Sequence, residues 1–286
     1  STLINRDQRL RNPYPGAASL GLPDDVTVIP VNDLARLETA ARHYAIVGSG
    51  KTATDGIVWL LSNGVQPDRI TWIRPRDPWM LDRARVQPDP VVAYGLVADT
   101  LAAAAEAESL DDLFLRLEAA GVMLRIDPAV TPTMAKTPTL GAWELELLRT
   151  VEDVVRLGHI ERVTRDEVVL TDGSVPLPPG TVVVHCAASG LRYPPLVPIW
   201  SPDAIRIQTV RAGFPCLAAA LIGYVEATRD DDRERNRLCP PNTFSDSLAS
   251  WAEMQVRGAA ATRTYGAEPD IADWADACAL NPARIL

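Results

Sequence analysis

The sequence predicts an α/β fold that passes into a mainly helical C-terminal region. Three observations carry this expectation. HYAIVGSGKTATDGIVWLLSNG at 43–64 reads as an apolar strand, a glycine turn and an apolar helix, and ITWIR at 70–74 supplies a second strand after a short turn. Strand, helix and strand in that order make the smallest right-handed parallel crossover. TVVVHCAAS at 181–189 reads as a further buried strand running into a polar turn at Ser189-Gly190, and the last third of the chain is Ala-rich and helical in composition.

The bulk properties bound the function. A chain of 286 residues holds one large domain or two modest ones, and 47% hydrophobic with 23% charged residues excludes wholesale disorder. Lys plus Arg is 28 against 37 for Asp plus Glu, a formal charge of −9 that repels phosphate backbones and argues against general nucleic-acid binding. No run approaches the roughly 18–20 apolar residues of a membrane helix, and the first residues show no apolar core of a secretory signal. Ser1 is what trimming of an initiator Met leaves, and a fragment boundary would look the same. Cys186, Cys216, Cys239 and Cys278 form no CxxC pair, so no thiolate zinc site or disulfide scaffold is expected, and a reducing, cytoplasmic setting is the default.

In chain order, residues 1–41 are a Pro-rich lead with one apolar stretch, VTVIPV at 26–31, and Asp33 as cap of a short helix over LARLETAARH. Residues 42–190 form the expected α/β domain. Within it, Ile57, Val58, Leu60 and Leu61 mark the buried face of the crossover helix, and Asn63-Gly64 its C-cap. RPRDPWMLDRARVQPDPVV, with four prolines, is expected to be an extended loop over the sheet edge. Two helices follow over 92–120, the second capped by Ser109, then a strand at VMLRID. TPTMAKTPTLG is expected as loop, AWELELLRT as a short helix, and residues 154–177 as short strands around Asp166 and the Asp172-Gly173 turn. Residues 191–286 complete the helical region. There TRDDDRERNR at 228–237 reads as a solvated helix face, with Asp231 and Arg235 as a weak pair.

Gly48-Ser49-Gly50-Lys51-Thr52-Ala53 fits GxGxxA between a strand and a helix. The first glycine permits the tight turn, the second lets a pyrophosphate approach the backbone, and Ala53 is small enough for close helix–strand packing. The helix N-terminus offers amides to the phosphates. The pattern therefore predicts a Rossmann-like, three-layer nicotinamide-binding domain. A bare tight turn without ligand is the plainer alternative. GKT also invites a nucleoside-triphosphate reading, but the loop is too short to wrap a β-phosphate. At the end of the second strand Arg74 and Arg76 flank Pro75, where NAD sites place an acid. Guanidinium groups match a 2′-phosphate, so NADP is favoured over NAD, with solvated surface charge as the alternative.

VGSGKTATDGIVWLLSNG, ITWIRPRDPW, LEAAGVMLRIDP, VEATRDDDRERNRLCPP and the closing LNP resemble the actinobacterial NAD(P)/FAD-dependent oxidoreductases related to flavin-containing monooxygenases, over about residues 26–284. The resemblance implies two dinucleotide-binding folds, one for FAD and an inserted one for NADPH. It places Gly48, Gly50, Ala53, Arg74 and Arg76 in the second, as NADP contacts. It further implies a chemistry in which NADPH reduces the flavin and the reduced flavin activates oxygen. The sequence departs from the pattern in two ways: no glycine fingerprint precedes residue 43, and His185 stands where the returning strand usually ends in an acid. Flavin would then come from a partner chain or an oligomer interface, or be lost. A truncated homologue, a partner of a FAD-binding chain and a fragment of a larger flavoenzyme all meet that description, and a homo- or hetero-oligomer is expected.

Candidate chemistry gathers at two places. Gly48, Ser49, Gly50, Lys51, Thr52, Ala53, Arg74 and Arg76 are the expected cofactor contacts, with Lys51 reaching either a phosphate or solvent. His185, with Arg192 seven residues on, is the candidate acid or base. Strand neighbours face opposite ways, so His185 and Cys186 are not read as a dyad. His43 and His159 read as structural, Trp59 and Trp72 as core, and Trp79 and Trp200 as lining of a pocket or partner surface. No metal is expected. The leading function is an NADPH-associated oxidoreductase acting on a small molecule. The alternatives are a cofactor-independent cyclase or isomerase on a recruited scaffold, and a non-catalytic partner protein.

Overall fold

The computed structural model describes residues 27–187, 195–281 and 284. The fold is α/β, and the chain divides into two compact units that alternate along the sequence. The first comprises residues 27–78, 125–133 and 140–187, the second residues 79–124, 134–139 and 195 onward.

In chain order the strands and helices begin with β1 (Thr27–Pro30), β2 (His43–Val47), α1 (Lys51–Ser62), β3 (Ile70–Ile73) and β4 (Pro78–Asp82). They continue with α2 (Pro90–Glu106), α3 (Leu110–Ala119), β5 (Met123–Arg125), β6 (Met134–Leu140), α4 (Ala142–Leu148) and β7 (Val154–Val155). Then come β8 (Ile160–Val163), β9 (Glu167–Leu170), β10 (Gly173–Pro176), β11 (Thr181–His185), β12 (Trp200–Ser201) and β13 (Ala204–Ile205). The helices α5 (Pro215–Thr228), α6 (Asp232–Leu238), α7 (Leu248–Gly266) and α8 (Pro269–Ala277) close the chain.

The first unit is built on a five-stranded sheet in the order β1-β11-β2-β3-β7, parallel at every pairing. Strands of such a sheet are apolar on both faces because both are covered. On one face Ala45, Val47, Ile73 and Val183 pack against Val163, Val168 and Leu170 of the antiparallel meander β8–β10. Residues of the opposite alternation, Ile46 and Trp72, are fully buried, as are Ile57 and Leu60 of α1. Burying each aliphatic side chain of that size contributes about 1.5–3 kcal/mol. The segment before β2 differs from expectation. Residues Val31–Arg36 are a 3-10 turn rather than a helix over 34–43, and Asp33 caps nothing. Its Val31 and Leu34 pack close against α1, where a Cβ at Gly56 would lie 3.2 Å and 3.8 Å from their side chains.

Two clusters of described residues build the core of the second unit. Trp79, Phe114, Leu117, Met123 and Trp251 join β4, α3, β5 and α7, with Phe114 placed 5.7 Å from Trp79 and 5.2 Å from Trp251 between ring centroids. Trp200, Leu221, Val225, Leu238, Tyr265 and Ile271 join β12 to α5–α8. Two segments expected as loops are strands. Pro78 opens β4 at its first residue, where a missing amide costs no ladder bond, and β6 carries Pro138 as an edge strand in the order β5-β4-β6. Trp79 and Trp200 are buried in these two clusters, while Trp59, expected in the core, is 41% exposed. Trp200 donates its indole N–H to Glu226 and exchanges two backbone bonds with the Asn236 side chain, at 3.0 and 2.9 Å. Ser109 caps α3 as expected, accepting from Asp112. Asp231 is the N-cap of α6, so Arg235 pairs with Asp232 and Glu226 in its place.

Candidate functional site at the carboxyl edge of the sheet

The strand register ends in one row: Pro30, His185, Val47 and Ile73, with Val155 beside Ile73. One residue beyond that row stand Cys186, Gly48, Arg74 and Arg156. Three backbone bonds hold this second row, from Cys186 to Val47 (2.8 Å), Gly48 to Ile73 (3.0 Å) and Arg74 to Val155 (2.8 Å). The carboxyl edge of a parallel sheet is where α/β folds place ligands, and it gathers the described site residues expected from sequence.

Gly48 makes the turn out of β2 with φ +135°, a value that disfavours any side chain. A Cβ there would lie 2.9 Å from the carbonyl carbon and oxygen of Cys186. The Gly48 carbonyl accepts the Trp72 indole N–H at 2.8 Å, which ties the turn to β3. Gly50 is the N-cap of α1 in extended conformation, and its missing Cβ would meet open space. Ser49 is buried, and Ala53 lies fully buried on the sheet side of the helix. The amides of the first turn, at Lys51 and Thr52, therefore head a 12-residue helix where the backbone at Gly50 is open to approach. The Lys51 ammonium pairs with Asp55 one turn on and with the buried Glu144 of α4 at 3.2 Å.

Arg74 is the surprise of the site. Its side chain is 1% exposed, its guanidinium carbon lies 4.3 Å above the Trp72 ring, and one nitrogen holds Asp77 at 2.8 Å. Nε and Nη1 are buried without partners. Burial pushes its pKa down to about 10, with Asp77 opposing, so it stays charged at neutral pH. Asp77 also receives Arg156 at 2.8 Å, and Arg156 reaches Asp127 at 2.7 Å. Two arginines and two carboxylates thus balance. A cavity of about 360 Å³ beside them is lined by Trp72, Arg74, Ile126, Leu148 and Arg156 among others. Arg76 is half-buried. Sequence reasoning missed Asp77 as the partner that neutralises Arg74; the i, i+3 spacing was the available signal.

His185 is half-buried at the end of β11, and burial lowers its pKa, leaving a neutral imidazole near pH 7. Burial, with Asp55 adding to it, pushes the neighbouring Cys186 thiol up to about 12, so it is no nucleophile at neutral pH. Arg192 lies outside the described residues, as does the Ser189-Gly190 turn. His43 donates to or accepts from Thr71 at 2.8 Å. Among the described residues no group of three or more His, Cys, Asp or Glu is placed to hold a metal, and no helix is long and apolar enough to cross a membrane.

No family model matches this sequence. Over 262 residues the chain is 40% identical to the uncharacterized proteins Rv2000 of Mycobacterium tuberculosis and Mb2023 of Mycobacterium bovis, covering 90% of this chain and 48% of theirs. The chain therefore spans about half the length of the curated relatives it matches. Among solved structures, the L-lysine 6-monooxygenase of Pseudomonas syringae aligns with 88% of this chain and 61% of its own at 13% identity, with a TM-score of 0.29. A likeness that slight carries no argument.

Proposed function

We propose that the Gly48–Ala53 turn binds the pyrophosphate of a nicotinamide dinucleotide, NADP in preference to NAD, and that the chain is the nicotinamide-binding part of an oxidoreductase. The observation that carries the reading is Gly50: an extended N-cap at the head of α1 whose absent Cβ leaves open space at the carboxyl edge of a parallel sheet. On this Rossmann-like reading the first-turn amides hold the pyrophosphate, Gly48 keeps the turn against Cys186, and Ala53 sets α1 close to the sheet. Arg74, held by Asp77 and Trp72, shapes the pocket wall, and the half-buried Arg76 is the arginine we assign to the 2′-phosphate. Lys51 would have to leave Asp55 and Glu144 to reach a phosphate, and so is not assigned one. A bound nicotinamide supplies hydride. His185, at the same edge, is our candidate acid or base for the proton that must accompany hydride delivery. Flavin, where it takes part, comes from chain beyond these residues or from a partner, for the relatives hold about as much chain again outside the matched part.

Calorimetric titration of the purified chain with NADPH and NADH tests the reading, together with Gly50→Asp. Asp is a better N-cap than Gly and favours the helix dipole, so thermal stability should hold or rise. A carboxylate set against the pyrophosphate should weaken NADPH by at least about 10-fold, or 1.4 kcal/mol. Failure of the parent to bind either nucleotide, or a Gly50→Asp protein that binds like the parent, ends this assignment. An absorption spectrum from 300 to 550 nm reports any flavin retained.

A further inference from the structure

The second unit contains a cavity of about 560 Å³ that the proposed cofactor site does not use. Its volume lies within the range of about 300–1,000 Å³ typical of sites for organic ligands. Apolar groups of α2, with Phe214 and Ala212, supply much of the wall, and the charged residues that join them are Arg85, Arg211, Arg263 and Arg284 against a single acid, Asp89. In a chain of formal charge −9, four arginines facing one carboxylate is a local reversal of sign. Asp89 cannot balance four cations, and one of its oxygens caps α2 by accepting from the amides of Val91 and Val92 at 2.8 and 3.1 Å.

The arginines have donors to spare. Arg211 lies half-buried with its guanidinium carbon 4.8 Å above the Phe214 ring, and among the described residues its guanidinium makes one hydrogen bond, to the neutral side chain of Asn281 at 2.7 Å. Among the described residues neither Arg211 nor Arg263 has a carboxylate at ion-pair distance. Arg85 pairs with Asp99 through one terminal nitrogen, while its Nε is buried without a partner. A buried donor without a partner costs about 1–3 kcal/mol, and a buried cation without a counter-ion costs more. Beside these groups Tyr94 and Val97 are 66% and 53% exposed on the cavity side of α2. Unpaired guanidinium donors and uncovered apolar side chains in one cavity ask for one kind of occupant.

We propose that this cavity binds a small organic carboxylate with an apolar body. The carboxylate is placed on Arg211, with Arg85 and Arg263 near, and the body lies along Tyr94, Val97 and Phe214. Carboxylate is favoured over phosphate because the nearest helix N-terminus, that of α2, is already filled by Asp89, whereas arginine forks match a planar two-oxygen anion. The site is independent of the dinucleotide reading and stands or falls without it.

Titration calorimetry of the full chain with octanoate and with 1-octanol tests the proposal. The expected result is one octanoate per chain, with octanol at least about 10-fold weaker. Arg211→Ala should reduce octanoate to the affinity of octanol and leave octanol unchanged. Ala93→Trp, which fills the cavity, should remove both. Arg263→Ala, at an exposed position on α7, should weaken octanoate several-fold with the urea midpoint unmoved, and serves if Arg211→Ala does not fold. Absence of octanoate binding, octanol binding as tight as octanoate, or octanoate binding indifferent to both arginine variants overturns the proposal.

Discussion

Replacement of Gly48 by alanine tests whether the turn at the head of the candidate site is built on the absence of a side chain. The backbone there has φ +135°, and holding a residue other than glycine in such a conformation costs about 1–3 kcal/mol. The added Cβ would also meet the carbonyl carbon and oxygen of Cys186 at 2.9 Å and the Ala187 amide at 3.3 Å. These are backbone atoms, and Cys186 is held by its bond to Val47, so no side-chain rotation relieves the overlap. Overpacking of this kind adds about 1–3 kcal/mol. The combined loss, roughly 2–5 kcal/mol, is a large share of the 5–15 kcal/mol that ordinarily holds a domain together. Urea unfolding followed by far-ultraviolet circular dichroism should show it as a fall in midpoint of about 1–2 M. Hydrogen exchange should rise over His43–Val47 and Thr181–His185, the two strands that meet at the turn. Gly50→Ala is the control: its Cβ enters open space at φ −89°, and it should cost no more than about 1 kcal/mol. A Gly48→Ala protein within about 0.5 kcal/mol of the parent, or no worse than Gly50→Ala, would refute the reasoning.

Two further predictions follow from the charges of the first unit. Asp77→Asn removes the carboxylate that faces the 1%-exposed Arg74, and leaving that cation uncompensated should cost about 3–5 kcal/mol by urea titration. Arg74→Met combined with Asp77→Leu should recover much of the loss, and a cost below about 1 kcal/mol for Asp77→Asn would show that the pair is not what settles Arg74. Burial lowers the pKa of both His43, against the pull of Asp153 and Asp68, and His185. The unfolded chain therefore binds protons first as pH falls below about 6.5, and the stability that neutral histidine lends the fold is present above that pH and lost beneath it. The urea midpoint should drop between pH 7 and 5.5, and His43→Gln with His185→Gln should flatten that slope; an unchanged slope in the double variant would refute the assignment.

Much of the first unit was readable from local pattern. The crossover from β2 through α1 to β3 carries its own apolar runs and its glycine turn, and β11 carries four consecutive buried residues. The cap at Ser109 was readable because a cap is a contact three residues long. The strands at 78–82 and 134–140 were not, since prolines in both obscured them. A proline is tolerated at a first strand position or on a sheet edge, and only strand order reveals which positions those are. Trp79 and Trp200 misled for a related reason: a tryptophan among prolines looks exposed until the partners that bury it, Phe114 and the Asn236 and Glu226 side chains, are in place.

The sequence by itself determined that an apolar strand, a glycine turn and a helix would meet, because each is set by residues within a few positions of one another. The tertiary structure alone decided which charges at that edge are buried and which keep contact with solvent. Arg74 and Arg76 are two residues apart and alike in sequence, yet one is sealed beneath Asp77 and Trp72 while the other keeps part of its surface. The chain also passes between its two compact units at 78–79, 124–125, 133–134 and 139–140, where composition changes little. Burial, ion pairing and unit membership all depend on residues brought together from distant parts of the chain. The Arg211 cavity shows the same dependence, assembled from residues 85–97, 211–214, 255–263 and 284.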